Sequence, residues 1–471
     1  LSAVLDPGQT PKAELIAPEK HGWQIPMPAW EIALLAAIVV AAFALRLAWT
    51  FIADARPTQI TSGDPFFYDS FGQFIARGQG MIRTTGEVTA QWTPGYPVIL
   101  AVIFKLFGHS IFLVKLLNVT LGAATCLLVY AIGRKVFNRG VGLVAAAALA
   151  LFPSQIYQPT MVMTETMATF LIAAFVCLIV FFAMDSMTWR RAVVVGAFIG
   201  VTTFVRGETI LLALPLVIVW ALAGRSLLAG VKYGAIALGV TALVISPWVL
   251  RNWVELGYPI LVSTGSGENL ISGHWDGADG EGSFVPVIET NQMYDGYGYP
   301  KKETLVYKEQ VRSAVSFAVN NPRAELELIP KKVFKFYHAD SKVLLWIEKG
   351  TLDNPAFTAT EESHWRAIAD VYYWVALAVA GLGAPFWLAW RNPGRVLLLL
   401  IVAYYTFLFG FVFVGEQRFH SALIPLLTVF AAVSLVKPVE LALAWFGSRP
   451  RTDALLPALA SAPEVATSDE A

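Results

Sequence analysis

SGDPFFYDSFGQFIARGQGMIRTTGEVTAQWTPGYPVILAVIFKLFG occupies residues 62–108, between the first strongly apolar segment of the chain and the next full-length one. The run before it, residues 30–52, is long enough to cross a bilayer, which takes about 20 residues. Two acids, Asp64 and Asp69, therefore stand where the chain has just left a membrane. Within 64–78, Phe67, Phe71, Phe74 and Ile75 recur at helical spacing. This predicts an amphipathic helix lying in the interface with its aromatic face in lipid.

Composition agrees with that reading. The 471 residues are 56% hydrophobic, 13% aromatic and 14% charged, whereas charged residues make up about a quarter of a soluble domain. The chain reads as an all-α polytopic membrane protein, because lipid leaves helices as the spanning form and ten-residue alternating strands are absent. Its formal net charge is zero, so no basic surface argues for nucleic acid as a partner. Cys126 and Cys177 fall inside apolar runs and read as small core residues, not as a disulfide or metal framework.

Apolar runs fall near 30–52, 110–134, 141–158, 163–184, 191–205, 208–224, 231–250, 369–390, 395–414 and 419–436, which predicts about ten spans. Every second loop is basic, through Arg134, Lys135 and Arg139, then Arg190 and Arg191, Arg225 and Lys232, Arg391 and Arg395, and Lys437. Retention of positive charge on the cytoplasmic side then makes both termini cytoplasmic. The expected organisation is an N-terminal arm over 1–29 without a signal-type cleavage site, a membrane module over 30–250 containing a first outer loop at 53–109, a second outer segment over 251–368, further spans over 369–436, and a tail over 437–471. In the second segment, 303–319 and 322–338 read as helices, the latter carrying Lys331, Lys332 and Lys335. Basic interfacial helices suit an anionic head group.

With the basic loops set aside, Arg46, Asp64, Asp69, Glu165, Arg206, Glu208, Arg251, Glu416, Arg418 and His420 remain near the outer ends of spans. Charges beside hydrocarbon are costly and usually pair or act. A single membrane face is what a site for an amphiphilic substrate needs, whereas a transporter places ionisable groups near the midplane. Each residue also has a structural reading. Asp64 followed by Pro65 is a good helix start, and Asp69 suits a solvated face. Glu165 fits a cap behind Thr164, and Arg46 fits a side chain snorkelling to the surface. Arg206 and Glu208 suit mutual neutralisation across a tight turn. Arg251 suits an anchor behind Trp248, and Arg418 and His420 carry the same ambiguity. DGADGEG at 276–282 lacks the spacing of a calcium loop and reads as a turn.

GDPFFYDSFGQFIARGQG and TPGYPVILAVIFKLFG resemble the first outer loop of bacterial GT-C glycosyltransferases related to the protein O-mannosyltransferases and the lipid A aminoarabinose transferase. PSQIYQPTMVMTETMATF, GVTTFVRGETILLALP, SPWVLRNWVELGYPILVSTGSGENLISGH, NPRAELELIPKKVFKFY and QRFHSALIPLL follow in the same order, over roughly residues 30–436. The resemblance implies a multi-span inner-membrane enzyme that moves a sugar from a polyprenyl-phosphate carrier to a lipid, glycan or protein hydroxyl at the outer face. The general base corresponds to Asp64. Many relatives have a second acid directly after it, where this chain has Pro65, so one carboxylate works alone or Asp69 or Glu165 shares the task. Arginines for the lipid phosphate correspond to Arg251 and Arg418, with Arg206 a further match. Tyr68, Tyr96 and His420, in the matching blocks, complete the candidate substrate contacts. No cofactor is implied, and no metal site is expected from the spacing of the polar residues. Two rivals are a ligase or polymerase using a polyprenyl-diphosphate donor and a lipid or solute transporter without chemistry.

Overall fold

The computed structural model describes residues 27–53, 63–184, 187–349, 357–388 and 392–447. Most of the expected N-terminal arm and C-terminal tail lies outside the described residues. Among the described residues the architecture is all-α, with one isolated β-bridge, Ile82 to Val88. The first half comprises α1 (Ala29–Ala53), α2 (Gly63–Ala76), α3 (Gly95–Phe107), α4 (Ile111–Val136), α5 (Arg139–Ala150), α6 (Pro153–Tyr157), α7 (Glu165–Leu178), α8 (Trp189–Val205), α9 (Ala213–Gly224) and α10 (Leu227–Leu256). Then come α11 (Gly265–Gly273), α12 (Val285–Gln292), α13 (Lys301–Asn320), α14 (Pro322–Tyr337), α15 (Lys342–Lys349), α16 (Ala359–Leu382), α17 (Ala384–Trp387), α18 (Pro393–Phe407) and α19 (Ile424–Gly447).

Seven of the described helices, counted with their flanking turns, are long and apolar enough to cross a membrane, or eight if α5 and α6, bent by 60°, form one broken span. The sequence suggested about ten. The other two apolar runs are helical as well, but α8 has only 17 residues and α16 opens on the polar stretch ATEESHWRA. Local signals set the boundaries: Ser110, Thr188 and Ser226 accept from backbone N–H groups in the first turns of α4, α8 and α10, satisfying donors a helix start leaves open. Gly257, at φ 69°, ends α10 in the left-handed region, which glycine enters without a Cβ penalty.

Buried side chains of α4, α5, α7, α18 and α19 share one core. Arg46 does not snorkel. It is 1% exposed and donates to the Ala42, Leu149 and Ala150 carbonyls, at 3.0, 3.2 and 3.3 Å. A guanidinium therefore holds carbonyls at the end of α5, where the chain bends into α6 and the helix leaves acceptors unpaired. Gly122 makes room for it, since a Cβ there would lie 2.8 Å from Arg46 Nε.

The aromatic face of α2 is also placed differently from the expectation. Phe71 is buried, Phe67 stacks on Trp92 at 4.4 Å between centroids, and Tyr68 meets Tyr96 edge-on at 5.2 Å. Protein covers this face because Gly72 lets α2 approach α3 closely: a Cβ at that position would lie 2.8 Å from Leu100 Cβ. Burying aromatic area against ring partners satisfies the same apolar pattern that lipid would.

The loop between α2 and α3 is pinned to later parts of the chain. The 4%-exposed carboxylate of Glu303 accepts from Arg83 Nη2 at 3.0 Å, Thr89 Oγ1 at 2.8 Å, the Ala90 amide at 2.9 Å and Thr264 Oγ1 at 2.9 Å. Helices α13 and α14 form as expected, but the lysines of α14 do not make one basic surface. Lys332 is fully buried beside His274, and Lys335 pairs with Glu281 at 3.1 Å. Burial pulls the Lys332 ammonium down to about 8, as desolvation of a cation requires.

Candidate active site

Asp64 lies in the first turn of α2 with Pro65 after it, and its Oδ2 accepts from Arg418 Nη1 at 2.7 Å. Arg418 stands in the 3-10 turn Gln417–Leu423 that leads into α19. A short, charge-assisted bond therefore ties the first loop to the entry of the last long helix. The other side of the same guanidinium faces Glu416, with Nε and Oε1 at 2.9 Å. Glu416 is also 3.5 Å from Lys342, which pairs in turn with Glu281 at 2.7 Å.

Arg206, just past α8, forms the second half of the site. It reaches Glu208 through Nε at 2.9 Å, Thr164 Oγ1 at 3.0 Å and Glu165 at 3.5 Å. The turn Gly207–Leu211 brings Glu208 back toward Arg206, as the sequence suggested. The guanidinium carbons of Arg206 and Arg418 lie 5.4 and 5.0 Å from the ring centre of Phe419. One aromatic ring thus serves two cations that would otherwise repel, a favourable placement for guanidinium groups. Tyr68 is buried beside this group, and desolvation, reinforced by the Asp64 and Glu165 charges, pushes its phenol well above the usual range, against the opposing effect of Arg206.

Asp64, Arg418, Arg206, Glu165 and Tyr68 are brought together, and Tyr96 supports them from beneath Tyr68. The remaining three expected residues are placed elsewhere. Arg251 donates to the carbonyls of Thr89 and Met81, at 2.9 and 3.1 Å, and lies over the Trp248 ring. Asp69 faces His109 at 2.7 Å and Gln73 at 2.9 Å on another side of α2. His420 is 1% exposed, flanked by the Phe336 carbonyl and Asp340, and stacked on Tyr373.

Sequence reading left out several residues near these groups. Glu416 was one of the outer-face charges but had no role, and Lys342 carried no signal apart from its charge. Glu268, in the first turn of α11, accepts from Gln91 Nε2 at 3.1 Å. Burial, together with the Asp64 and Glu303 charges and against the pull of Arg83, pushes the Glu268 carboxyl up to about 7. Among the described residues, no three His, Cys, Asp or Glu side chains converge as a metal site.

The family model described as dolichyl-phosphate-mannose-protein mannosyltransferase matches residues 91–250. No curated protein matches the chain. The archaeal oligosaccharyltransferase AglB from Archaeoglobus fulgidus, solved in complex with an inhibitory peptide and a dolichol-phosphate, superposes with a TM-score of 0.53 at 15% identity, over 92% of this chain and 54% of that one. The chain has a GT-C fold. The apo form of the Archaeoglobus fulgidus oligosaccharyltransferase gives the same 0.53, 15%, 92% and 54%. ArnT from Cupriavidus metallidurans bound to undecaprenyl phosphate gives 0.41 at 15% identity, over 87% of this chain and 78% of that one. The chain spans about half the length of the archaeal structures it matches.

Proposed function

We propose that this GT-C chain is an inverting glycosyltransferase of the inner membrane, which moves a sugar from a polyprenyl-phosphate carrier to an acceptor hydroxyl at the outer face. The observation that carries the reading is the pairing of Asp64 with Arg418, with Arg206 on the same aromatic ring as Arg418. A carboxylate beside two held guanidinium groups supports that reading, because the reaction needs a proton acceptor and a counter-charge for the leaving phosphate.

In that reaction the bond from the anomeric carbon to the phosphate oxygen breaks as the acceptor oxygen bonds to the same carbon from the opposite face. Positive charge spreads over the sugar ring, and the electron pair leaves with the phosphate. Arg418 and Arg206 hold the departing oxygens through charge-assisted forks. Asp64 takes the proton of the acceptor hydroxyl as general base. A phosphate brought against Arg418 competes with Asp64 for the guanidinium, so arrival of the donor turns the carboxylate toward the acceptor. Glu165 and Glu208 keep Arg206 in place, and Arg251 holds the 81–91 loop through the Met81 and Thr89 carbonyls.

The rival donor is a polyprenyl diphosphate carrying an oligosaccharide, whose departing group would also need the two guanidinium groups. Purified protein in lipid, given mono- and diphosphate carriers separately, tests the choice. A new glycosidic bond from the monophosphate supports the proposal, and transfer from the diphosphate alone sinks it.

A further inference from the structure

Two Gly-Glu pairs from distant parts of the chain, Gly280-Glu281 and Gly415-Glu416, meet in space: the Gly415 amide donates to the Gly280 carbonyl at 2.9 Å. Both glycines press on the backbone of α14. A Cβ at Gly415 would overlap the Lys332 carbonyl, and one at Gly280, where φ is +95°, would lie 2.8 Å from the Lys332 amide nitrogen. Only residues without a side chain allow this crossing. The acid after each glycine is thereby brought to a single ammonium, that of Lys342, which lies 2.7 Å from Glu281 and 3.5 Å from Glu416. The other oxygen of Glu281 faces Lys335 at 3.1 Å. DGADGEG at 276–282, a turn by its sequence, thus carries a carboxylate that holds Lys342.

Lys342 is the first residue of α15. A cation at that end of a helix opposes the macrodipole, so α15 itself gains nothing from a lysine there. The use of the charge lies in its neighbours. Glu416 Oε1 faces both Lys342 and the Nε of Arg418, the latter at 2.9 Å, while Asp64 takes Arg418 Nη1. Without Lys342, one guanidinium would answer two carboxylates, and an arriving phosphate would meet their uncompensated charge. With Lys342 in place, Glu416 is matched and can stay on Nε while the phosphate displaces Asp64. The side chains of Lys342, Glu416 and Arg418 are 19%, 12% and 17% exposed, a setting in which charges are screened less than at a free surface.

We propose that Lys342 is a positioning residue: bridging Glu281 and Glu416, it neutralises the carboxylate that orients Arg418 and so prepares that guanidinium for the donor phosphate. Its action runs through Glu416 and needs no contact with the phosphate. This rests on the glycosyltransferase reading above.

Equilibrium binding tests it. The full chain in lipid nanodiscs is titrated with undecaprenyl phosphate, a carrier without sugar. Lys342→Met, which removes the charge and keeps most of the stem, is expected to weaken binding about fivefold. Lys342→Arg, which restores the charge, should stay within about twofold of the unmodified protein. In Glu416→Gln protein no carboxylate is left there to neutralise, so adding Lys342→Met should change affinity by less than about twofold. A damaged fold would instead lower the number of binding sites, leave the affinity of the intact ones unchanged and gain nothing from arginine. Unchanged affinity in Lys342→Met, a loss that Lys342→Arg does not recover, or a full loss that persists in the Glu416→Gln background overturns the inference and leaves the glycosyltransferase reading in place. Failure of the unmodified protein to bind the carrier overturns both.

Discussion

Asp64 and Arg418 are 354 residues apart in the chain and meet at 2.7 Å. The contact closes the first loop onto the turn before α19, and Glu416 holds the same guanidinium from its other side. Positioning by two carboxylates fixes a planar fork in one orientation, a property a lysine ammonium lacks.

Arg418→Lys is accordingly expected to keep the charge but lose the fork. Donor KM should rise by about tenfold or more, while Arg190→Ala, on the exposed start of α8, should stay within about twofold of the unmodified protein. Steady-state kinetics with a labelled polyprenyl-phosphate-sugar makes the comparison. Equal effects of the two changes would remove Arg418 from the phosphate clamp.

Arg251 has a different expected consequence. Its guanidinium spans the Met81 and Thr89 carbonyls, so Arg251→Ala should cost on the order of 2 kcal/mol of stability. Hydrogen exchange should speed up over residues 81–91. Unchanged stability and exchange, with donor binding lost, would return Arg251 to direct contact with the phosphate.

Glu268 supplies a pH dependence. Its carboxyl ordinarily titrates near 4.5 and is pushed up to about 7 by burial. The folded protein therefore binds this proton more tightly than the unfolded chain, so the group's contribution to stability declines as pH rises from about 4.5 to about 7 and then levels off. Melting temperatures measured across that window should fall less steeply in Glu268→Gln than in the unmodified protein. Parallel curves would contradict the assignment.

Much of the site was legible because charge is rare in this composition. Asp64, Glu165, Arg206 and Arg418 stood out against apolar neighbours, and these are the residues the fold gathers. Arg251 and His420 looked equivalent to them in sequence. Nothing local could show that one would be occupied by carbonyls about 160 residues earlier and the other by a buried backbone oxygen and Asp340. The aromatic stripe of α2 marked an apolar face correctly but could not specify whether lipid or Trp92 would cover it. Span counting gave about ten, whereas seven or eight described helices are long and apolar enough to cross, because a 17-residue helix and a partly polar one also read as apolar runs.

The central claim is that Asp64 removes the acceptor proton. Asp64→Asn keeps size and shape while removing the charged acceptor, and its turnover and donor affinity can be measured side by side with a labelled polyprenyl-phosphate-sugar. Sugar transfer is expected to fall by at least about a hundredfold while the labelled carrier still binds. Transfer at the unmodified rate would contradict the account.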